Sequence, residues 1–375
     1  MKAIYLWISI LLFAATGCAD ENYDYGDKGA PKIDYAIDPV AMTRLDVVTV
    51  GQAVQFVGDN LGSVHKISIN GVEVAIGSTT RLTNSLYLTI PRLTRSESYV
   101  MILENDFGST EVALSIEFPP FQITGIFNEW TPPGQELKLL GESMDLYAKV
   151  GVSKLMFGDK AALVTEVSET YVKAVVPEGV GNKTVITFLA DDASEGVKCP
   201  VRYRDDTFII ENLEDKSTTR YPDWVVPNDD YPAPLDPAPT EGSQYTRIVT
   251  EVGKTGLVNM IANYNLVIPE SYFTTDADNY VLKFELCTIK PIAYRLAIAL
   301  NQSTNWYAFG PSSLTTDPAL MISTGGEWQT FTIPMDTWKN KGGTKNMRIW
   351  VGSHPSGNSY DFCIDNVRLQ PINWE

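Results

Sequence analysis

The chain has 375 residues, with 29 Lys and Arg against 46 Asp and Glu, for a formal net charge of −17. That balance excludes a nucleic-acid partner, because phosphate binding needs clustered Lys and Arg, and it disfavours polyanionic ligands for the same reason. The length allows two or three domains of about 150 residues each, and 8 Trp with 18 Tyr supply rings that combine a flat apolar face with a polar edge.

The N-terminal segment is an export signal. Met1-Lys2 gives a basic tip, Ala3 to Ala14 a short apolar run, and Ala15-Thr16-Gly17-Cys18 a small-residue cleavage site. Together they read as a secretory signal peptide over residues 1–17. The run is too short to span a bilayer as a mature helix. Its Gly-Cys ending resembles the lipobox of bacterial lipoproteins, which implies that Cys18 becomes the lipidated first residue and holds the protein on a membrane without a transmembrane span. The acidic residues after Cys18 are similar to the signal that sends some lipoproteins to the outer face of the outer membrane. Residues 18–30 then form an acidic tether. Of the remaining cysteines, Cys199, Cys287 and Cys363, the last two lie in strand-like runs and are expected as buried thiols. A Cys287–Cys363 disulfide stays open as an alternative in an oxidising compartment. No cysteine spacing suggests a zinc site.

Two segments then repeat. The first contains Gly51-Gln-Ala-Val-Gln-Phe-Val-Gly58, Val64-His-Lys-Ile-Ser-Ile-Asn-Gly71 and Leu86-Tyr-Leu-Thr-Ile-Pro91. The second contains Gly134-Gln-Glu-Leu-Lys-Leu-Leu-Gly141, Val152-Ser-Lys-Leu-Met-Phe-Gly158 and Tyr171-Val-Lys-Ala-Val-Val-Pro177. Each copy has an alternating strand ending at glycine, a second ending at glycine, and a third stopped by proline. Period-two alternation broken by Gly, Asn and Pro predicts a β-sandwich. The pattern resembles the IPT/TIG immunoglobulin-like domain over residues 31–118 and 121–203, with Pro119-Pro120 as a semi-rigid joint. Such domains are usually spacers or interaction modules. Trp130 is expected as a packed cap on the second copy.

From Arg204 the composition changes, with a Pro- and Asp-rich loop from Pro227 to Pro239 and most of the tryptophans. Strands are predicted over Thr207–Glu211, Asn279–Lys290, Ala293–Leu300, Trp306–Phe309, Trp328–Ile333, Met347–Val351 and Ser359–Leu369. Residues 204–375 therefore read as one larger jelly-roll sandwich, and the whole chain as all-β. Asp276-Ala-Asp278-Asn279 reads as a turn.

The last strand, Tyr360-Asp-Phe-Cys-Ile-Asp365-Asn366-Val-Arg368-Leu, resembles the closing strand of galactose-binding-like carbohydrate-binding modules, with Phe208-Ile-Ile-Glu211 as its partner. The resemblance implies that first and last strands meet, with Glu211 and Asp365 as ligands of a structural calcium; solvated acidic strand ends are the competing reading. A lipid anchor, two IPT/TIG-like spacers and an aromatic-rich jelly roll together resemble the surface glycan-binding lipoproteins of starch-utilisation-type uptake systems. That family implies a polysaccharide ligand held for surface glycoside hydrolases and a TonB-dependent transporter.

A pyranose offers an apolar face to an aromatic ring and a hydroxyl rim to amides, carboxylates and guanidinium groups. The leading candidate cluster is Asn301-Gln302-Ser303-Thr304-Asn305-Trp306-Tyr307, in which Gln302, Asn305, Trp306 and Tyr307 would contact sugar. A strand there would split Trp306 from Tyr307, whereas a loop would keep them together. In Met347-Arg348-Ile349-Trp350-Val351, alternation puts Arg348 and Trp350 on one face and the aliphatics on the other. Tyr272 and Trp224 are further candidates in expected loops. Trp328, Trp338 and Trp374 are assigned to packing or termini. The negative charge favours a neutral glycan.

Two other readings compete. A glycosidase needs two placed carboxylates, and no pair stands out. A serine hydrolase needs a histidine beside a nucleophile, and only His65 and His354 exist, neither near such a motif. An adhesive or purely structural surface lipoprotein would use the repeats to bind protein.

Overall fold

The computed structural model describes residues 26–373, except 192–194, 215–218, 221–224, 228–236, 241–243, 250–255, 264–267, 295, 301–305, 342–346 and 354–358. The chain forms two compact units divided between Pro119 and Pro120. Cys18, Trp224, Gln302 and Asn305 lie outside the described residues.

The first unit is a two-sheet sandwich. One sheet contains Lys32–Ile37, Ala53–Asp59 and Ser85–Thr89, and the other contains Gly108–Leu114, Tyr99–Asn105 and Lys66–Ile69. Alternation fills the space between them with Val54, Phe56, Ile67, Ile69, Leu86, Leu88, Met101 and Leu103, all buried.

The second unit begins with a related sandwich. Its strands run in the order Gln122–Ile126, Glu136–Glu142, Tyr171–Val175, Lys160–Val167, Lys154–Phe157, Thr184–Leu189 and Val197–Tyr203. The repeat has a physical basis at its glycines. A Cβ on Gly58 would sit 1.8 Å from the Lys32 carbonyl oxygen, and one on Gly141 would sit 2.4 Å from the Gln122 carbonyl oxygen. In both copies the first strand bulges over this glycine, with register shifts at Ile33/Tyr35 and Ile123/Gly125.

The remaining residues form a larger sandwich with its own core. One sheet has the order Val225–Pro227, Thr246–Val249, Asp361–Pro371, Tyr280–Thr288 and Gln329–Pro334, and Phe208–Glu211 also pairs with Asp361–Pro371. The first and last strands of this region therefore meet. The second sheet has the order Thr219–Arg220, Gly256–Asn263, Met347–Ser353, Leu296–Ala299 and Trp306–Phe309. Between them lie Leu282, Phe284, Leu286, Ile298, Trp338, Phe362, Ile364 and Leu369. Trp338 is a fully buried packing residue.

Candidate functional site

The outer face of the first C-terminal sheet is polar by alternation. In Tyr280–Thr288 the apolar residues Leu282, Phe284 and Leu286 face the core, which sends Lys283, Glu285 and Cys287 the other way. In Asp361–Pro371, Asn366 at φ 47° supplies the extra residue of a bulge, and Asp365, Arg368 and Gln370 join the polar face. Such a face normally meets water. Here Lys283, Glu285, Asp365, Arg368 and Gln370 are all buried: Glu129, in the loop after Gln122–Ile126 of the preceding sandwich, meets Lys283 and Arg368, Thr240 meets Asp365, and the Asp205 carbonyl meets Gln370.

Glu129 of that loop accepts from Lys283 Nζ at 2.5 Å through Oε1 and from Arg368 Nη2 at 2.9 Å through Oε2. Arg368 also donates Nη1 and Nη2 to Glu285 at 2.6 and 2.9 Å in a bidentate pair. Thr330 links the Glu285 carboxylate to the Glu129 backbone: its hydroxyl donates to Glu285 at 2.9 Å and accepts from the Glu129 main-chain amide at 2.9 Å. Two carboxylates thus face two cations in a buried joint. Burial pushes the Glu285 carboxyl up to about 7, with the Glu129 charge acting in the same direction and Arg368 opposing both. Trp130 lies 2% exposed beside the network, with the Arg368 and Arg204 guanidinium carbons 5.5 and 5.8 Å from its ring. It packs into this joint against the two guanidinium groups.

The opposite sheet carries the predicted sugar-contact residues. Trp306–Phe309 is a strand, so Trp306 and Tyr307 alternate. Tyr307 pairs across with the core residue Ile298, packs against the main core, and meets the Trp338 ring edge-on at 6.5 Å between centroids. Trp306 pairs with Ala299, which pairs in turn with Arg348; Ala297 pairs with Trp350. Register therefore places Trp306, Arg348 and Trp350 on one face of the sheet, opposite the face of Ile298, Ile349 and Tyr307. The sequence grouped Trp306 with Tyr307; the pleat regroups Trp306 with Arg348 and Trp350. Tyr272, expected in a loop, lies in the turn Glu270–Phe273, stacks on Phe208 at 5.4 Å and meets Tyr280 edge-on at 4.8 Å against the core.

The acidic pair Glu211 and Asp365 is buried. Glu211 Oε1 caps the Leu213 amide at 2.9 Å, and Asp365 accepts from the Thr240 hydroxyl at 2.6 Å and the Asn366 amide at 2.8 Å. These oxygens serve protein donors, and among the described residues no group of three or more His, Cys, Asp and Glu is placed to hold a metal ion. Cys287 and Cys363 are free buried thiols facing each other across neighbouring strands. His65 lies 3.6 Å from Asp106 on the surface, and His354 falls outside the described residues.

Residues 203–371 match the family described as "Surface glycan-binding protein B xyloglucan binding domain". The C-terminal sandwich is similar to the domain of that family, whose description is glycan binding. Similar solved structures include surface glycan-binding protein B of Prevotella bryantii, at 15% identity, 92% of this chain, 100% of that chain and a TM-score of 0.51. Another is a surface glycan-binding protein B from a complex xyloglucan utilization locus in Bacteroides uniformis, at 13% identity, 91% and 99% coverage and a TM-score of 0.49. No curated protein matches the chain.

Proposed function

We propose that this protein is a non-catalytic surface lipoprotein that holds a neutral, xyloglucan-like polysaccharide on the face carrying Trp306, Arg348 and Trp350. The observation that carries the proposal is the cross-strand register that aligns Trp306, Arg348 and Trp350 at positions of one face of the sheet. Indoles suit the C–H faces of successive sugars, and the guanidinium suits their hydroxyls. The family match to a xyloglucan-binding domain and the net charge of −17 both favour a neutral glucan over a uronate polymer. Cys18 would carry the lipid anchor, the sandwiches would lift the binding face from the membrane, and neighbouring hydrolases and a TonB-dependent transporter would take the glycan onward. Affinity for one site between about 1 mM and 1 μM corresponds to roughly −4 to −8 kcal/mol, and many anchored copies add avidity along one polymer.

The test is affinity electrophoresis of residues 120–375 through gels containing xyloglucan, mixed-linkage glucan or polygalacturonate. Retardation in the neutral glucans, lost in Trp350→Ala, is the expected result. Release of oligosaccharides from the same polymers would overturn the non-catalytic reading, and migration unchanged in every gel would overturn glycan binding.

A further inference from the structure

The joint between the second sandwich and the C-terminal sheet leaves a cleft of about 280 Å³. Phe127, Gln135, Glu136 and Lys138 line one wall, and Pro237–Thr240 with Gly326–Trp328 line the other. We propose that this cleft is a second glycan subsite, separate from the Trp350 face, that takes one or two units of a neutral oligosaccharide. The inference rests on the polysaccharide-binding reading above and adds a location to it.

Four observations carry it. The walls are tied together by direct hydrogen bonds, from the Thr330 amide to the Phe127 carbonyl at 2.8 Å and from the Thr240 hydroxyl to the buried Asp365 at 2.6 Å, so binding needs little ordering. Its volume approaches the roughly 300 Å³ at which small-molecule sites begin, enough for a short stretch of sugar. Its lining pairs apolar surface from Phe127, Trp328 and the prolines with exposed polar side chains, Gln135, Glu136 and Glu327, at the rim. That is the complement of a pyranose, which is apolar on its faces and hydroxylated at its edge.

The fourth observation is charge. The lining holds two lysines, Lys138 and Lys173, and two glutamates, Glu136 and Glu327. Lys138 Nζ spans the mouth to Glu327 at 3.1 Å and sits 4.2 Å from the Phe127 ring centre, and Lys173 pairs with Glu166 at 2.6 Å. The cations are already matched by carboxylates, so a sugar carboxylate would displace an existing partner, whereas hydroxyls add to the rim without breaking a pair. The Trp328 indole is held in place by its Nε1–H, which donates to the Ala238 carbonyl at 2.8 Å.

The experiment uses the full chain labelled with 5-fluorotryptophan and observed by fluorine NMR, with xylogluco-oligosaccharide as the probe. The Trp328 resonance is identified by its loss in Trp328→Phe. It should shift saturably with oligosaccharide in the wild type and in Trp350→Ala. Ala238→Arg, which plugs the cleft, should abolish that shift or weaken its midpoint at least tenfold while retardation in xyloglucan gels persists. Gln135→Ala/Glu327→Ala, at two exposed positions, should weaken it in the same way and serves if the arginine variant misfolds. An unmoved Trp328 resonance with Trp350-dependent retardation intact would overturn the subsite and leave the polysaccharide reading standing. Loss of both signals in the wild type would overturn that reading and the subsite with it.

Discussion

Glu129 carries more of the molecule than its position in a short loop suggests. It is 3% exposed and touches both buried cations of the C-terminal sheet. In Glu129→Ala, Lys283 and Arg368 would face Glu285 alone, leaving a net buried positive charge. Breaking a buried pair in this way costs about 3–5 kcal/mol, and urea unfolding of residues 120–375 should read that loss. Asp365 makes a different prediction at the same scale. Burial holds its carboxyl well above the usual carboxylate range, and the charges facing it, Glu285 and Glu214, are negative. Because its folded pKa is raised, the penalty of ionising it is absent below the unfolded value near 3.8 and grows as pH rises toward the folded one. Asp365→Asn should therefore gain stability relative to the wild type as pH goes from 4 toward 7, by up to about 1.4 kcal/mol per pH unit. Parallel stability-versus-pH curves for the two proteins would contradict the assignment.

At the scale of the strand, the pleat separates neighbours in sequence into different jobs. Tyr307→Ala should lower thermal stability by about 2–4 kcal/mol, since it empties a place against Trp338 and the main core. Trp306→Ala, on the other face of the same strand, should leave the melting temperature nearly unchanged and weaken retardation in xyloglucan gels. A reversed pattern would place Trp306 in the core and remove it from the binding face. The contrast also shows what the sequence makes legible. Clean alternation marked Ala53–Asp59 and Glu136–Glu142 as strands because one side of each meets a core. Gly256–Asn263 escaped, since a register shift between Asn259 and Ile261 breaks its period of two. The face opposite the core was legible as polar at Lys283, Glu285 and Arg368, but alternation says only which side is polar. Whether water or another domain covers that side depends on Glu129, 239 positions before Arg368. The packing of Tyr272 was illegible for a related reason: nothing local to Ser271-Tyr272-Phe273 announces that Phe208 will stack on it.

At the scale of the whole molecule, the buried joint turns the second sandwich and the C-terminal sandwich into one mechanical body with two separate cores. Backbone bonds reinforce the side-chain network: the Thr330 amide donates to the Phe127 carbonyl at 2.8 Å, and the Arg204 amide donates to the Glu129 carbonyl at 3.0 Å. The Gln370 side chain donates to the Asp205 carbonyl at 3.1 Å, and the Tyr203 hydroxyl donates to the Thr131 carbonyl at 2.6 Å. Cutting the chain at residue 204 would remove Glu129 and Trp130 from the polar face and hydrate a surface whose packing was completed by them. Residues 120–375 should therefore unfold in one calorimetric transition, and residues 204–375 alone should melt at a lower temperature. Glu129→Ala in the longer fragment should split its single transition into two, the lower one approaching that of the isolated C-terminal domain. If the wild-type fragment instead shows two transitions, one coinciding with residues 204–375 alone, the joint transmits no stability and the two sandwiches are independent. A single transition carries a functional consequence: a binding face fixed relative to its neighbouring sandwich spends little orientational freedom when a stiff polymer lies along it, and more of the contact energy appears as affinity.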